Sequence, residues 1–271
     1  YRPNRTPHEP RHSQQQLIDD DADIERLLDE MTLREKAAQL AGTFVGTMGE
    51  TKTVDDAADA IRDFGIGFVT PFGYGASPHR DSEEVVEITN RLQRIAMEES
   101  RLGIPILIPV DAIHGNAYVE DTTVFPHNIG VAAARDRDLA EQIGTITATE
   151  VAATGSSLTY GPTCDVARDP RWGRTFETFG ESPYLIGELA SAKARGVDAA
   201  TVDVATMAKH FPAYGEPERG EDTAPVDRSL SSLYRDFLPP FERVLDAEDV
   251  LVTRPNADSL VNQVGGWSLK E

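Results

Sequence analysis

The chain alternates short apolar segments with helical segments, and this alternation limits the folds that are open to it. Helical periodicity fills the intervals between predicted strands, for example at residues 81–99 and 138–152. Strands joined by helices in this order form a parallel sheet covered by helices. We count about six such units and find no internal repeat. The predicted strands lie near residues 43–45 and at 67–71, 104–110, 158–160, 204–208 and 250–253.

Local signals fix several helix ends. Thr32–Glu35 has the pattern of a capping box, with the apolar residues Leu33, Ala37 and Leu40 behind it. Gly65 follows the helix predicted at 54–64 and suits a left-handed C-terminal cap. A helix that begins at residues 182–183 is expected to end before Gly196. The run at 104–110 is almost entirely apolar, which is typical of a strand buried on both faces.

Polar residues with useful chemistry follow the predicted strands. In a TIM barrel these positions are the C-terminal strand ends, where active sites lie. A doubly wound sheet would gather them at one switch point, and Gly65-Ile66-Gly67 precedes its strand, unlike a dinucleotide-binding motif. We therefore predict an incomplete (β/α)8 TIM-barrel-like domain. The residues concerned are Asp111 and His114, then Arg168 to Arg174, then Lys209 and His210.

The segment Cys164–Gly180 has the most varied chemistry in the chain. It is too charged for a core strand and too interrupted for a helix, so it predicts a loop. Bidentate guanidinium donors beside carboxylates and an aromatic ring suit a polar ligand such as a sugar, and a solvated charged loop is the alternative. Trp172 either packs or forms a sugar platform. The segment contains Arg168, Arg171, Arg174, Asp165, Asp169, Trp172, Pro170 and Gly173.

Other candidates also have two interpretations. Asp111 ends an apolar strand and either binds a ligand or caps the next turn. Lys209 and His210 follow a buried strand, where an unpaired lysine is costly, which favours a functional role. The spacing of His114, His127 and His210 matches no helical zinc pattern, so structural or sugar-contacting roles are expected.

The amino-acid composition of the chain argues against some classes of binding partner. The chain has 271 residues, of which 46 are acidic and 26 are basic, and its formal net charge is −20. Such a charge argues against nucleic acid or an anionic membrane as a partner. Lysine occurs only at positions 36, 52, 193, 209 and 270. An acidic, lysine-poor surface suits concentrated salt, which predicts a halophilic source, with an ordinary acidic protein as the alternative.

Processing and localisation signals are few. Cys164 stands alone, so neither an intrachain disulfide nor a cysteine-based zinc site is expected. No apolar run has the length of a membrane span and no signal peptide is recognised, which leaves extracellular and cytoplasmic locations open. Residues 1–20 are polar and predict a flexible tail before a domain at 21–271.

Several motifs in family order resemble the N-terminal domain of family 3 glycoside hydrolases, the β-glucosidase and exo-β-glucanase group. They are LLDEMTLREKAAQL, RLGIPILIPVDAIHG, TVFPHNIGVAAARD, DVARDPRWGRTFETFGESP, MAKHFPAYG and LYRDFLPPFERVL. The resemblance implies a (β/α)8-like domain that acts on β-linked glucosides or oligosaccharides without a cofactor. It places Asp111, Arg174, Lys209 and His210 against the hydroxyls of the non-reducing-end sugar, with Arg168 and Asp169 on the same loop. The stretch after KHFPAYG is similar to the β-glucosidase branch rather than the N-acetylglucosaminidase branch.

The resemblance also implies missing parts. Retaining hydrolysis needs two carboxylates, and the family's nucleophile and acid/base would lie beyond Glu271. Residues 253–256 replace the family's Ser-Tyr-Asn stretch, so a pocket tyrosine is expected to be absent. Two hypotheses follow: the front part of a retaining β-glucosidase, or a non-catalytic sugar-binding relative. In either case we expect residues 1–271 alone to be inactive, and the remainder of an enzyme or a second copy to be the candidate partner.

Overall fold

The computed structural model describes residues 21–48, 50–73, 79–247 and 251–252. The predicted tail at 1–20 and the stretch at 253–256 lie outside these residues. The strands are β1 Gly42–Phe44, β2 Gly46–Met48, β3 Glu50–Lys52, β4 Phe68–Thr70, β5 Pro109–Val110, β6 Leu158–Thr159, β7 Ala205–Ala208 and β8 Leu251–Val252. The helices are α1 Asp21–Glu30, α2 Leu33–Gln39, α3 Val54–Phe64, α4 Ser82–Glu98, α5 Asn128–Ala134, α6 Arg137–Ala153, α7 Pro183–Asp198, α8 Leu230–Ser232 and α9 Pro239–Ala247.

The parallel strands follow one another in chain order. β1 pairs with β4, an isolated bridge joins Phe68 to Leu107 just before β5, and β5, β6, β7 and β8 are neighbours in that order. A doubly wound sheet would reverse its strand order at a switch point, whereas chain order is the order of a TIM barrel. The fold is therefore TIM-barrel-like, and over the described residues the barrel is not closed. β2 and β3 form a separate antiparallel pair.

Helix ends follow the side-chain signals in the sequence. Thr32 and Glu35 form the predicted capping box, which satisfies two backbone donors at the start of α2. Gly65 caps α3 with φ 66° and ψ 46°, the left-handed conformation that glycine adopts without a steric penalty. Asp81 accepts a hydrogen bond from the backbone of Glu84 and begins α4. None of the helices in the described ranges is long and apolar enough to span a membrane.

Two apolar clusters hold the helices against the sheet. The first joins the strands to α3 and α4 and includes Val69, Ile108 and Leu92. The second joins α6, α7 and α9 and includes Leu189 and Phe241. Both clusters pack against the strands or against the helices that flank the strands. This packing holds in place the strand ends from which the candidate loops begin.

The prediction that the run at 104–110 is buried on both faces is wrong, because Leu107 is 45% exposed. The apolar residues behind the capping box are also exposed: Leu33 and Leu40 are 84% and 87% exposed, and α2 contains no buried residue. Periodicity shows where an apolar stripe lies on an element, but the elements packed around it decide whether the stripe is buried.

The predicted end of α7 before Gly196 is also wrong, because the helix continues to Asp198. A Cβ at Gly196 would overlap the carbonyl oxygen of Glu141 on α6, and one at Gly144 would overlap the carbonyl oxygen of Lys193. Gly196 therefore serves the close approach of α6 and α7, and it does not end the helix.

Candidate sugar-binding site

Asp111 and Lys209 meet across the sheet. Asp111 follows β5 and Lys209 follows β7, and their side chains form an ion pair with 2.5 Å between Nζ and Oδ1. The Lys209 side chain is 5% exposed and that of Asp111 is 15% exposed. Lys209 uses one of its three donor positions in this contact and binds one of the two carboxylate oxygens. The pair keeps hydrogen-bonding capacity for a polar ligand.

His210 is oriented by a buried carboxylate. Its Nδ1 lies 2.8 Å from Oδ2 of Asp165, whose side chain is fully buried, and its backbone nitrogen also donates to that carboxylate. Its Nε2 lies 3.2 Å from Nη2 of Arg174. Because a guanidinium can only donate, Nε2 is the acceptor and Nδ1 carries the proton given to Asp165. In this arrangement both ring nitrogens are already engaged by protein groups. The peptide bond between Lys209 and His210 is cis.

Arg174 stands between the loop after β6 and the loop after β7. It binds Glu177 with two parallel hydrogen bonds of 2.7 and 2.8 Å and donates from Nη1 to the hydroxyl of Tyr214 at 3.3 Å. Burial opposes its charge, but Glu177 outweighs that effect and the pKa of Arg174 is raised. With the contact to His210, four of its five donor positions are used and one remains.

Trp172 packs and offers no sugar platform. The ring is 2% exposed and lies edge-on to Tyr214, with 5.1 Å between the ring centroids. Its Nε1 donates to Asp222 at 3.0 Å, and Tyr214 donates to the same carboxylate oxygen at 2.5 Å. Burial and the bond to Asp222 raise the pKa of Tyr214 to about 12. Asp222 thus ties the loop after β7 to the arginine-rich segment.

The other charged residues of the segment point elsewhere. Arg168 pairs with Asp236 at 3.2 Å and stacks over Phe237, which joins the segment to the residues before α9. Asp169 binds Arg171. Hydrogen bonds from the side chain and the backbone nitrogen of Arg171 lower the pKa of Asp169 to about 2. Arg168 and Asp169 therefore act within the segment, and neither contacts the four candidate residues through a side-chain hydrogen bond in the described structure.

His114 and His127 form a ring pair. Their centroids are 4.1 Å apart, and Nδ1 of His114 lies 3.0 Å from the carbonyl oxygen of Phe125. Burial and the neighbouring His114 lower the pKa of His127. Across the described ranges no group of three or more His, Cys, Asp or Glu side chains is placed to hold a metal ion.

The structure brings the four predicted residues into two contacting pairs, Asp111 with Lys209 and Arg174 with His210. The peptide bond from Lys209 to His210 joins the pairs. Two carboxylates of the arginine-rich segment orient them: Asp165 binds His210, and Glu177 binds Arg174. The sequence predicts structural salt bridges for carboxylates on this segment, but it does not identify their partners; for Glu177, the arginine three residues earlier was the available signal.

A groove also lies between α7 and α9. Its lining includes Tyr184, Arg195 and Arg243 and none of the four candidate residues.

The chain is similar in sequence to several known proteins. A family model described as "Glycosyl hydrolase family 3 N terminal domain" matches residues 32–255. A periplasmic β-glucosidase of Salmonella typhimurium is 33% identical over 257 residues, and a lysosomal β-glucosidase of Dictyostelium discoideum is 28% identical over 243 residues. The matches cover 93% and 83% of this chain but 31% and 30% of those proteins, so the chain spans about a third of their length.

Solved structures show the same partial coverage. The exo-1,3/1,4-β-glucanase of a Pseudoalteromonas species superposes with a TM-score of 0.76 at 32% identity, over 89% of this chain and 31% of that one. A β-glucosidase from Listeria innocua in complex with isofagomine gives a TM-score of 0.71 at 29% identity, over 87% of this chain and 32% of that one.

Proposed function

The chain belongs to glycosyl hydrolase family 3, and from that premise we propose that Asp111, Arg174, Lys209 and His210 form the pocket for the non-reducing-end glucose of a β-linked glucoside. The observation that carries the proposal is that the Asp111–Lys209 ion pair and the Arg174–His210 contact are joined by the peptide bond between Lys209 and His210. All four residues follow strands of a TIM-barrel-like fold, which is where such folds bind substrates.

The pocket supplies directional hydrogen bonds of the kind that sugar hydroxyls require. The second oxygen of Asp111 accepts, Lys209 has two further N–H groups, and one N–H of Arg174 is left over. Hydrogen bonds to charged groups contribute about 1.5–3 kcal/mol each. His210 acts by holding Arg174, since Asp165 and Arg174 occupy its ring nitrogens. Bonds that tighten at the oxocarbenium-like transition state would raise the rate as well as the affinity.

The hydrolytic step needs carboxylates that these residues do not offer. Asp111 pairs with Lys209, Asp165 with His210, and Glu177 with Arg174. Each of these carboxylates is already held by a protein side chain, and a retaining enzyme needs two carboxyl groups about 5–5.5 Å apart that can reach the substrate. The proposal therefore assigns the nucleophile and the acid/base to sequence outside these 271 residues. With them the activity is removal of terminal glucose with retention.

A non-catalytic sugar-binding protein is the second candidate, and the same paired carboxylates favour it. The two candidates differ in one observation, the reading frame downstream of Glu271. A continuation that contains a Ser-Asp-Trp motif supports the glycosidase. A stop codon supports the sugar-binding protein.

Calorimetric titration of the chain with D-glucose and laminaribiose tests the pocket. We expect binding that Asp111→Asn weakens by about 10- to 150-fold, the equivalent of one charged hydrogen bond. Asp198→Asn changes a carboxylate at the exposed C-terminal end of α7 and is the matched control. An aryl β-glucoside should release no aryl alcohol. Absence of binding, or equal binding by wild type and Asp111→Asn, would remove the proposal.

A further inference from the structure

Lys193 is a buried cation that the proposed sugar contacts do not use. It lies in α7, is 4% exposed, and points its ammonium at the carbonyl oxygen of Ile113 and at Oδ1 of Asn128, the latter 3.3 Å away. No carboxylate forms an ion pair with it in the part of the chain that the structure describes. Burial, reinforced by the charge of Lys209, lowers the pKa of Lys193 to about 7. Burying a lysine in this way is costly unless its donors are used.

The two acceptors of Lys193 begin a buried polar network. Asn128 is 1% exposed and donates from Nδ2 to Oγ1 of Thr163 and to the carbonyl oxygen of Glu177, both at 2.9 Å. Thr163 is fully buried and donates to the same Glu177 carbonyl at 2.8 Å. The network joins α7, the start of α5, and the loops after β5 and β6.

Each residue at the ends of this network either lies close in the chain to a residue of the proposed sugar site or binds one. Ile113 is two residues after Asp111 in the same loop. Glu177 holds Arg174 through its carboxylate while its carbonyl is held by the network. Thr163 is bridged to Lys209, whose backbone nitrogen donates to the carbonyl of Pro162 at 3.0 Å.

We propose that Lys193 is a positioning residue of the sugar site, which fixes the loop of Asp111, the loop of Arg174 and the start of the Lys209 loop relative to one another. This inference rests on the proposed function for its consequence in binding, but its structural part can be tested without sugar.

The test compares Lys193→Met, Lys193→Gln and Lys36→Met. Methionine fills the space of lysine without a donor, so the Ile113 carbonyl and Asn128 lose their partner. Glutamine keeps an N–H donor without the charge and is the conservative variant. Lys36 is an exposed residue of α2 and serves as the control.

Lysine-selective NMR gives the first readout, because the chain has only five lysines. We expect Lys193→Met to shift the side-chain signals of Lys209, and Lys36→Met to leave them in place. We expect the affinity for D-glucose to fall by at least about 10-fold in Lys193→Met and to recover in large part in Lys193→Gln, in line with a lost buried donor.

The outcomes separate the two claims. If the wild-type chain binds no sugar, the proposed function fails, and the Lys209 signals still decide whether Lys193 positions the site. If sugar binds and neither the affinity nor the Lys209 signals respond to Lys193→Met, the inference is overturned while the proposed function stands. Thermal melts of every variant confirm that the chain is folded.

Discussion

Breaking the Asp111–Lys209 pair should destabilise the protein much more than removing both charges together. The Lys209 side chain is 5% exposed and has Lys193 as a second, buried cation near it. Asp111→Asn therefore leaves the Lys209 ammonium without its counter-charge, and removing one partner of a buried pair costs about 3–5 kcal/mol. Lys209→Met should cost less, because Asp111 is 15% exposed and keeps some hydration.

The double variant Asp111→Asn/Lys209→Met removes the unpaired charge. Replacing a buried ion pair by neutral groups of similar size is often neutral for stability, so we expect the double variant to be more stable than the sum of the single effects by about 2 kcal/mol or more. Sugar binding should be weaker in all three variants and weakest in the double variant, because none retains both an acceptor carboxylate and the Lys209 donors.

Urea unfolding followed by circular dichroism measures these differences. With a slope of about 3 kcal/mol per molar urea, Asp111→Asn should lower the midpoint by about 1–1.7 M. The double variant should recover much of that loss. Strictly additive single effects would show that the two side chains do not interact in solution. Sugar binding by the double variant with the affinity of wild type would show that neither side chain belongs to the pocket.

Three further predictions use other parts of the chain. The net charge of −20 predicts a higher melting temperature in molar potassium chloride than in dilute buffer, and equal melting temperatures would remove the halophilic hypothesis. Gly196→Ala should destabilise by about 1–3 kcal/mol because a Cβ overlaps α6, while Gly173→Ala, with open space around it, serves as control in the same melts. The unfolding free energy of wild type should rise relative to Lys193→Met by up to about 1.4 kcal/mol per pH unit between about pH 7 and 10, since only the unfolded lysine holds its proton there. If the unfolding free energies of wild type and Lys193→Met changed with pH in the same way, the lowered pKa of Lys193 would be contradicted.

The parts of the fold predicted from the sequence are those set by neighbouring residues. The capping box at Thr32, the end of α3 at Gly65 and the start of α4 at Asp81 depend on side chains within four residues of each end. The spacing of strands and helices along the chain also indicated the parallel order of the sheet.

The errors arise where distant elements decide the outcome. Gly196 looks like a helix terminator in sequence, yet α6 requires a glycine there for close packing. Leu33 and Leu107 lie in apolar patterns whose covering partners are absent from the described residues. No local pattern states which element will pack against a face.

In the candidate site, too, the local features were predicted from the sequence and the contacts between distant residues were not. The positions of Asp111, Arg174, Lys209 and His210 after strands were apparent from the sequence, together with the motif resemblance. Their pairing was not, because the partners are separated by 98 residues in one pair and 36 in the other. The sequence did not single out Lys193 among the five lysines, because its acceptors lie 65 and 80 residues away.

A crystal structure of the chain with D-glucose tests the central claim most directly. The account predicts one glucose at the C-terminal strand ends, with hydroxyls within hydrogen-bond distance of the second oxygen of Asp111, of Lys209 and of Arg174. Glucose bound elsewhere, for example in the groove between α7 and α9, with the four residues unoccupied, would contradict the assignment of this site.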